Sequence, residues 1–394
     1  MTKLVSNPYY VYILSFVLVL LVYSLGWSHL YPELSFSLLA FFFVTFLVSL
    51  FFGVVVQGKK RIEYKTITWN EKTTLYLALI WVGYSMEFLY NGGIPLSLLL
   101  LKGVQDDREL FGIPTFHVLL VTFSSFYSVY IFHQLRSDFR KSRLLIFLLS
   151  ILPAVLIVNR GMLLMILTSC LFVYLLSLKK IRFNVILGVT FFVLVIFYLF
   201  GVMGNLRQTN TTSSNYILQS SRASESFKNS IIPNEYIWAY IYISSPLANL
   251  QTTIERLPPV NDSWVAFLNF EILPDFISKR TGPLLDVERQ GTPTVAGWLT
   301  VSTCYARSYV FLGWLGIIIL FLFFISTTFI YLFALMKTSE YYVVGLAILN
   351  TLVLYNTFDN MYAFTGLNFQ LLYPLLLSYV RLPKITSVLR GKIS

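Results

Sequence analysis

The chain alternates long apolar runs with short polar segments, and one long polar stretch interrupts this pattern. The apolar runs are continuous, as in 185–202 and 313–336. A helix that spans a bilayer needs about 20 mainly apolar residues and satisfies its own backbone hydrogen bonds. A transmembrane β-barrel would instead alternate polar and apolar side chains along each strand. The pattern therefore predicts an all-α polytopic membrane protein.

Ten apolar runs are candidates for transmembrane helices. Their predicted bounds are 9–27, 34–56, 73–90, 115–135, 143–159, 161–178, 183–203, 309–336, 341–358 and 366–381. The long polar stretch, 204–297, separates span seven from span eight, and we expect short helices over 234–257 and 264–277 within it. The chain thus divides into 1–203 with seven spans, 204–297 as one large loop, and 298–394 with three spans and a tail.

Composition agrees with this assignment. Hydrophobic residues make up 57% of the chain, charged residues only 12%, and the mean hydropathy is +0.72. A soluble domain has about one quarter charged residues. The two cysteines indicate neither a disulfide framework nor a metal site. No small-residue cleavage site follows the first apolar run, so we expect that run to remain as the first span.

The placement of the basic residues predicts the orientation. If the N-terminus is cytoplasmic, the cytoplasmic side holds 18 of the 29 Lys and Arg residues but only 4 of the 18 acidic residues. Loops rich in Lys and Arg stay in the cytoplasm. We therefore expect both termini inside and 204–297 outside. The excess of basic residues on the cytoplasmic side also explains the net charge of +11. The charge is therefore no argument for a nucleic-acid partner.

Several arginines are candidates to bind an anion on the outer side. Arg160 lies between spans five and six, Arg207 follows span seven, and Arg280 and Arg289 lie within 204–297. A guanidinium offers a planar fork of donors that suits phosphate. Any one of them can be a surface charge or an interfacial anchor. Together, on the face that lacks the excess positive charge, they fit a diphosphate at the outer leaflet. Weaker candidates are Arg222, Arg256 and Arg307.

A general base in the long stretch would have to be a carboxylate, because that stretch contains no histidine. The three histidines lie at the ends of early spans, where interfacial residues are expected: His29, His117 and His133. The carboxylates available to accept a hydroxyl proton are Glu235, Glu271, Asp275, Asp286 and Glu288. We select Glu235 and Asp275 as candidate catalytic residues, although Asp275 can also pair with Arg280. Glu87 lies late in span three. An acidic residue in or near a membrane span is costly to keep there, so Glu87 is a candidate functional residue.

Several short stretches resemble the O-antigen polymerase family, the Wzy-type oligosaccharide repeat unit polymerases. They are Asn91–Leu96 after span three, Asn159–Gly161 at the hairpin, Tyr240–Leu250 in the long stretch, and Val301–Tyr305 with Tyr309–Gly313 and Gly316 entering span eight. Members often have an Asp before the first Gly that enters span eight, where this chain has Phe311, with Arg307 upstream. That departure removes an acid from the position.

The resemblance implies a reaction. The donor would be a glycan on undecaprenyl pyrophosphate in the bacterial inner membrane, and the acceptor would be one lipid-linked repeat unit. An acceptor hydroxyl attacks the anomeric carbon of the donor, and the lipid pyrophosphate leaves. The family looks like metal-independent, cofactor-free glycosyltransferases of the GT-C type, in which arginines neutralise the leaving group. Tyr240 and Trp264 can stack on sugar faces or anchor the loop at the interface. A chain-length regulator protein would be a further partner.

Two other functions stay open on sequence grounds. An O-antigen ligase has the same architecture and donor but transfers the glycan to lipid A core. Ligases of that type usually carry a histidine in the large outer loop, so its absence favours a polymerase. A flippase or transporter for lipid-linked sugars commonly has internal repeats, and none is evident here.

Overall fold

The computed structural model describes residues 6–59, 64–70, 72–102, 111–178, 183–209, 215–256, 263–336 and 340–379. Over these ranges the secondary structure is helical, and the one β-type pairing is an isolated bridge between Ser28 and Ala223. The helices, numbered in chain order, are α1 Pro8–Tyr23, α2 Phe36–Lys59, α3 Thr73–Tyr90, α4 Pro95–Lys102, α5 Phe116–Ser137, α6 Lys141–Leu156, α7 Arg160–Ser177, α8 Phe183–Thr209, α9 Asn215–Ser220, α10 Glu225–Lys228, α11 Tyr236–Arg256, α12 Trp264–Phe267, α13 Asp275–Leu284, α14 Cys304–Leu335, α15 Tyr342–Tyr355, α16 Thr365–Asn368 and α17 Leu372–Tyr379.

Five helices in the described ranges are long and apolar enough to cross a membrane: α2, α5, α7, α8 and α14. The shorter helices α1 and α15 are also apolar. Large side chains on α2 such as Phe36, Phe43 and Phe51 are exposed, as expected of a surface that contacts lipid. The prediction of an all-α, multi-pass membrane protein is therefore confirmed, whereas the number of ten spans and the orientation stay predictions.

Two predicted spans have a different local structure. The helix at span eight, α14, begins at Cys304, five residues before the predicted start, and Gly313 interrupts it. The region predicted as span ten is α16, a 3₁₀ turn over Phe369–Leu371 and α17, with 380–381 outside the described residues. Here the Asn368 side-chain amide donates to the Tyr362 carbonyl at 2.5 Å, which ties α16 to the preceding loop.

The chain forms two compact units, each built from separate stretches. The first comprises Met1–Tyr64, Tyr174–Phe329 and Leu349–Asn368, and the second comprises Lys65–Val173, Ile330–Ile348 and Phe369–Ser394. The sequence-based division at 203 and 297 therefore stays a prediction about topology.

In the first unit, α11 packs along both α1 and α8. The indole N–H of Trp238 donates to Asn205 Oδ1 at 2.7 Å. A Cβ at Gly204 would lie 2.7 Å from the Trp238 ring, so glycine permits this close approach. Ile237 and Phe227 are fully buried in the same cluster. The middle of the long polar stretch is thus part of the core of the first unit.

In the second unit, α5 is largely buried and packs against α3 and α6. The Tyr84 hydroxyl lies 3.2 Å from Ser124 Oγ, and Thr73 donates to Gln134 at 2.9 Å. Ser128 Oγ donates to the Ser150 carbonyl at 2.9 Å. Small hydroxylated side chains allow membrane helices to approach closely and to bond across the contact.

Candidate functional site

A buried carboxylate, Glu271, is the centre of a polar cluster in the first unit. It lies in a π-helical turn, Leu268–Ile272, which follows α12, and its side chain has no exposed surface. Ser308 Oγ donates to Glu271 Oε2 at 3.3 Å. Asn360 Nδ2 donates to the same oxygen at 3.1 Å and to the Glu271 carbonyl at 2.7 Å. Buried carboxylates need such partners, and π-turns are frequent at functional sites.

Arg307 lies between this buried acid and a more exposed one. Its Nη1 lies 3.6 Å from Glu271 Oε1, and its Nη2 lies 2.6 Å from Asp359 Oδ1. The exposed fraction of the side chain rises from 0% for Glu271 to 14% for Arg307 and 42% for Asp359. Within the described structure, Glu271 Oε1 and Arg307 Nη1 make no hydrogen bond. Arg307 and Glu271 are therefore held together by charge. Arg307 Nη1 can still donate a hydrogen bond, and Glu271 Oε1 can still accept one.

A break in α14 gives Arg307 its position. Residues 304–312 form a short helix, after which Gly313 has φ 57° and ψ −141°, a conformation that side chains other than glycine rarely adopt. A Cβ at Gly316 would lie 2.2 Å from the Ser308 carbonyl oxygen. Glycine at both positions therefore allows the segment that carries Arg307 and Ser308 to contact the following helix closely.

The loop after α15 completes the cluster. The backbone N–H of Cys304 donates to the Asn356 carbonyl at 2.9 Å, which joins this loop to the start of α14. The backbone N–H of Asn360 donates to Asp359 Oδ1 at 2.7 Å. Asp359 and Asn360 thus face Arg307 and Glu271 from one short segment.

Burial and the neighbouring charges set the protonation of the cluster. Burial raises the pKa of the Glu271 carboxyl to about 7, against the lowering effects of Arg307 and of the hydrogen bond from Asn360. Partial burial, followed by the positive charge of Arg307, lowers the pKa of the Arg289 guanidinium. Arg289 keeps an exposed side chain and interacts electrostatically with Arg307, Glu271 and Asp359.

This arrangement suits an anion that approaches from the exposed side. Two guanidiniums interact electrostatically, and the outer one, Arg289, is partly buried but belongs to an exposed residue. Guanidinium groups bind phosphate oxygens with charge-assisted hydrogen bonds. Glu271 changes between neutral and charged forms near pH 7, so the net charge beside Arg307 changes by one unit in that range.

The two predicted catalytic carboxylates lie elsewhere in the first unit. Asp275 begins α13, and its Oδ1 accepts from the backbone N–H of Thr365 at 2.9 Å, while its own N–H donates to the Ala363 carbonyl at 2.7 Å. Glu235 precedes α11, and its carbonyl lies close to Gly201 of α8, where a Cβ would be 2.2 Å away. Asp275 therefore contributes to joining α13 to the start of α16, and a catalytic role for either acid stays a prediction.

Of the predicted phosphate-binding arginines, Arg289 interacts electrostatically with Arg307, Glu271 and Asp359. Arg280 is exposed on α13, donates to the Phe276 carbonyl at 2.5 Å and lies 4.2 Å from the centre of the Phe276 ring. Arg160 is the exposed first residue of α7, in the second unit. Arg207 belongs to the last turns of α8, and its side chain lies outside the described structure.

The two predicted sugar-binding aromatics differ in exposure. Tyr240 is 2% exposed, and its ring lies 5.3 Å from Trp27 and 5.6 Å from Tyr31. It also lines a mainly apolar cavity of about 560 Å³ formed with α1, α2 and the loop between them. Trp264, at the start of α12, is 41% exposed. Trp264 is therefore the more accessible stacking surface.

Sequence reasoning missed most of the cluster. Glu271 was available as one of five carboxylates and Arg307 as one of several further arginines, but no local pattern distinguished either. Asp359 and Asn360 are not among the residues that the sequence singles out. One signal existed: both are polar residues in the short segment between predicted spans nine and ten, which the topology places on the same side as the long stretch.

Within the described ranges, no group of three or more His, Cys, Asp or Glu side chains is placed to hold a metal ion. No family model matches the chain, and no curated protein or solved structure proved similar to it.

Proposed function

We propose that the protein polymerises oligosaccharide repeat units linked to undecaprenyl pyrophosphate, at the outer face of the bacterial inner membrane. In this proposal both termini lie in the cytoplasm and the product is a surface polysaccharide of the O-antigen type. The observation that supports it best is the pair Arg289 and Arg307, one exposed and one held between two carboxylates. The sequence resemblance supplies the substrate class.

The arginine pair serves the leaving group. When the anomeric carbon of the donor is attacked, negative charge develops on the pyrophosphate oxygen that departs. Fixed positive charges aimed at that position stabilise the transition state more than the ground state. In this proposal Arg289, an exposed residue, contacts the pyrophosphate. The more buried Arg307 contributes a second positive charge that stabilises the same leaving group.

The two acids of the cluster position Arg307. Glu271 has no exposed surface, so it cannot touch a sugar hydroxyl in this conformation. Asp359 is accessible, but its Oδ1 already accepts from Arg307 and from the backbone of Asn360. Both carboxylates therefore position Arg307, and the candidates from sequence for the group that accepts the hydroxyl proton remain Glu235 and Asp275.

The cavity lined by Tyr240 suits the lipid part of such a substrate. Its lining is mainly apolar, with contributions from Leu20, Leu34 and Leu39, and Glu33 lies among the lining residues. Apolar pockets of this size bury chain-like ligands and use a few polar groups for orientation. The cavity and the arginine pair belong to the same unit.

Deletion of the gene tests the function in the cell. Electrophoresis of the surface polysaccharide should then show lipid core capped with a single repeat unit. Loss of every repeat would instead support a ligase or a flippase, because both act before any unit appears on the core.

Purified protein tests the arginine assignment. In lipid nanodiscs with an undecaprenyl-pyrophosphate-linked repeat unit, the wild type should form products of several units. Arg289→Gln and Arg307→Gln should slow product formation at least about 100-fold, the size of effect seen when one transition-state donor is removed. Arg140→Gln, at an exposed arginine just before α6 on the predicted cytoplasmic side, is the matched control and should keep the wild-type rate. Equal rates in all four proteins would refute the assignment.

A further inference from the structure

The α12–α13 segment, residues 264–284 of the first unit, presents a row of large apolar side chains on its surface. In α12 and the π-helical turn, Trp264, Val265 and Leu268 share one face and are each about half exposed. In α13, 83% of Leu284 is exposed. Exposed apolar surfaces of this kind mark contact with a protein, a ligand or a membrane.

The two parts of the segment form one body, because α13 folds back on the π-helical turn. The side-chain amide of Asn269 donates to the Ser278 carbonyl at 3.2 Å, and its oxygen accepts from the Thr281 hydroxyl. A Cβ at Gly282 would lie 3.2 Å from the Phe270 ring, so α13 and the turn are in close contact. The exposed apolar side chains of α12 and α13 are therefore held in a fixed relation to each other.

The buried face of the segment packs against α14, a helix long and apolar enough to cross a membrane. Phe267 and Phe270 are buried together with Phe311 of α14. The rings of Phe270 and Phe311 are stacked, with 6.2 Å between their centres. Ile319, which follows the break at Gly313, packs against the same cluster. The segment and both parts of α14 thus share one apolar cluster.

The position of Ile319 along α14 relates this cluster to the bilayer. From Gly313 to Leu335, α14 is about 33 Å long at 1.5 Å per residue. The hydrocarbon core of a bilayer is about 30 Å thick, so the break at Gly313 lies near one membrane surface. Ile319 is then about 9 Å further along the helix, inside the membrane. The cluster therefore reaches the boundary between lipid headgroups and acyl chains.

The exposed face of α14 continues this apolar surface. Leu315, Ile318 and Leu322 follow the break and are each about half exposed, as expected of a helix that faces lipid. Since the buried side of the α12–α13 segment is fixed to α14 at the level where these residues begin, the same acyl chains can cover the exposed side of the segment.

The charged residues of α13 suit the same environment. Lys279 and Arg280 are both exposed, and the Arg280 guanidinium carbon lies 4.2 Å from the centre of the Phe276 ring. Long basic side chains rest their stems on apolar surface and direct their charged ends to the headgroups. Tryptophan, here Trp264, is enriched at the same level of a bilayer. The segment thus combines an apolar face with positive charges that complement lipid phosphates.

We propose that the α12–α13 segment lies in the membrane–water interface, with its exposed apolar face covered by the acyl chains of one leaflet. In the predicted topology this is the outer leaflet. The surface serves the fold whatever reaction the protein performs. Because Glu271 belongs to the π-helical turn, its polar cluster then lies at the membrane surface. A lipid-linked diphosphate reaches that depth without leaving the bilayer.

Spin labels on the full-length protein in lipid nanodiscs test this placement. The native cysteines, Cys170 and Cys304, are buried, so a nitroxide reagent reacts with an introduced cysteine. Leu268→Cys reports on the turn and Leu284→Cys on α13, where exposure of the side chain means that little packing is lost. Electron paramagnetic resonance then compares collisions with oxygen, which concentrates in lipid, and with a water-soluble nickel chelate. Both labels should favour oxygen, at a depth of about 5–10 Å below the headgroups.

Two reference positions calibrate the measurement. Leu322→Cys, on the exposed side of α14, should favour oxygen more strongly than either label in the segment. Asn229→Cys, at an exposed residue that ends α10, should favour the nickel chelate. A preference for the chelate at either Leu268→Cys or Leu284→Cys would place the segment in water and overturn the inference.

Poor access of both reagents to the segment would show that protein covers the apolar face, for example a second copy of the chain, and would overturn the inference as well. None of these results bears on polymer formation, which the activity assay measures separately. A wild-type protein that makes no polymer would remove the proposed function and leave the placement of the segment intact.

Discussion

Nη2 of Arg307 donates to Oδ1 of Asp359 at 2.6 Å, across 52 residues of sequence. The other amino group of the same guanidinium faces a fully buried acid, Glu271, at 3.6 Å. One arginine therefore links an exposed carboxylate to an enclosed one. Changes at the outer acid should affect the orientation of the arginine, and changes at the inner acid should affect the charge around it.

Asp359→Asn should lower both stability and donor affinity. The variant keeps the shape of the side chain but loses the charge-assisted hydrogen bond, a kind worth about 1.5–3 kcal/mol when well enclosed. Because Asp359 is partly exposed, we expect the lower end of that range and a fall in Tm of a few degrees. Thermal unfolding in nanodiscs measures the stability, and KM for the donor should rise. Glu225→Gln, which removes an exposed ion pair with Lys228, should leave both unchanged.

Glu271 should make stability depend on pH. Its pKa is about 7 in the folded protein, against an ordinary value of 4.5, so the fold favours the protonated form. Between those values the folded state binds more protons than the unfolded state, and stability falls as pH rises through this window. The loss levels off above about pH 7 and totals about 3 kcal/mol. Glu271→Gln should lack this slope, and parallel Tm curves for the two proteins from pH 5 to pH 8 would contradict the prediction.

Protonation of Glu271 should also strengthen donor binding. Below pH 7 the carboxyl is neutral, so the surroundings of Arg307 and Arg289 become one charge more positive. Uptake of one proton on binding allows at most about a tenfold gain in affinity per pH unit. A lipid-linked diphosphate diester is the appropriate ligand, because its own charge does not change near neutral pH. Its Kd, measured by isothermal titration, should tighten as pH falls in the wild type and stay level in Glu271→Gln.

The helices were predictable because their physical cause is local. The prediction of a helix over 73–90 matches α3, and the helix predicted over 234–257 corresponds to α11. Both follow from apolar side chains within one segment. The early start of α14 was not predictable in this way, because the polar residues around Arg307 and Ser308 belong to a helix that is stabilised by contacts with Glu271 and with the loop after α15.

The site was less predictable because it joins distant stretches. Asn360 and Glu271 are 89 residues apart, and no periodicity connects them. Proximity in sequence suggested that Asp275 pairs with Arg280, but the first turn of α13 directs the Asp275 carboxylate to the backbone of Thr365. Likewise Glu87 and His117 are each unremarkable alone, and only the packing of α3 against α5 brings them to 2.9 Å.

Gly313→Ala should displace Arg307 without touching it. A side chain at φ 57° and ψ −141° is strained by about 1–3 kcal/mol, and α14 can relieve the strain only by changing its break. We expect a lower Tm and a loss of product formation similar to that of Arg307→Gln. Gly188→Ala in α8, where a Cβ meets nothing within 4 Å, is the control and should behave as wild type. A fully active Gly313→Ala would show that the break does not position the arginine.

Asn249→Ala should loosen the segment that leads from Arg289 to α14. The Asn249 amide donates to the carbonyls of Leu299 and Val301, both at 2.7 Å, and its oxygen accepts from the Val295 N–H at 2.8 Å.

Truncation of Asn249 leaves three backbone groups without this partner. Each one that stays buried and unpaired costs about 1–3 kcal/mol, so Tm should fall by several degrees. Asn229→Ala, an exposed residue at the end of α10, should leave Tm unchanged. Because the loosened segment carries Arg289 at one end, donor KM should rise in Asn249→Ala while the pH dependence from Glu271 persists. An unchanged Tm in Asn249→Ala would contradict the prediction, because it would show that other contacts hold the segment between Arg289 and α14. The KM for the donor should then also stay at its wild-type value.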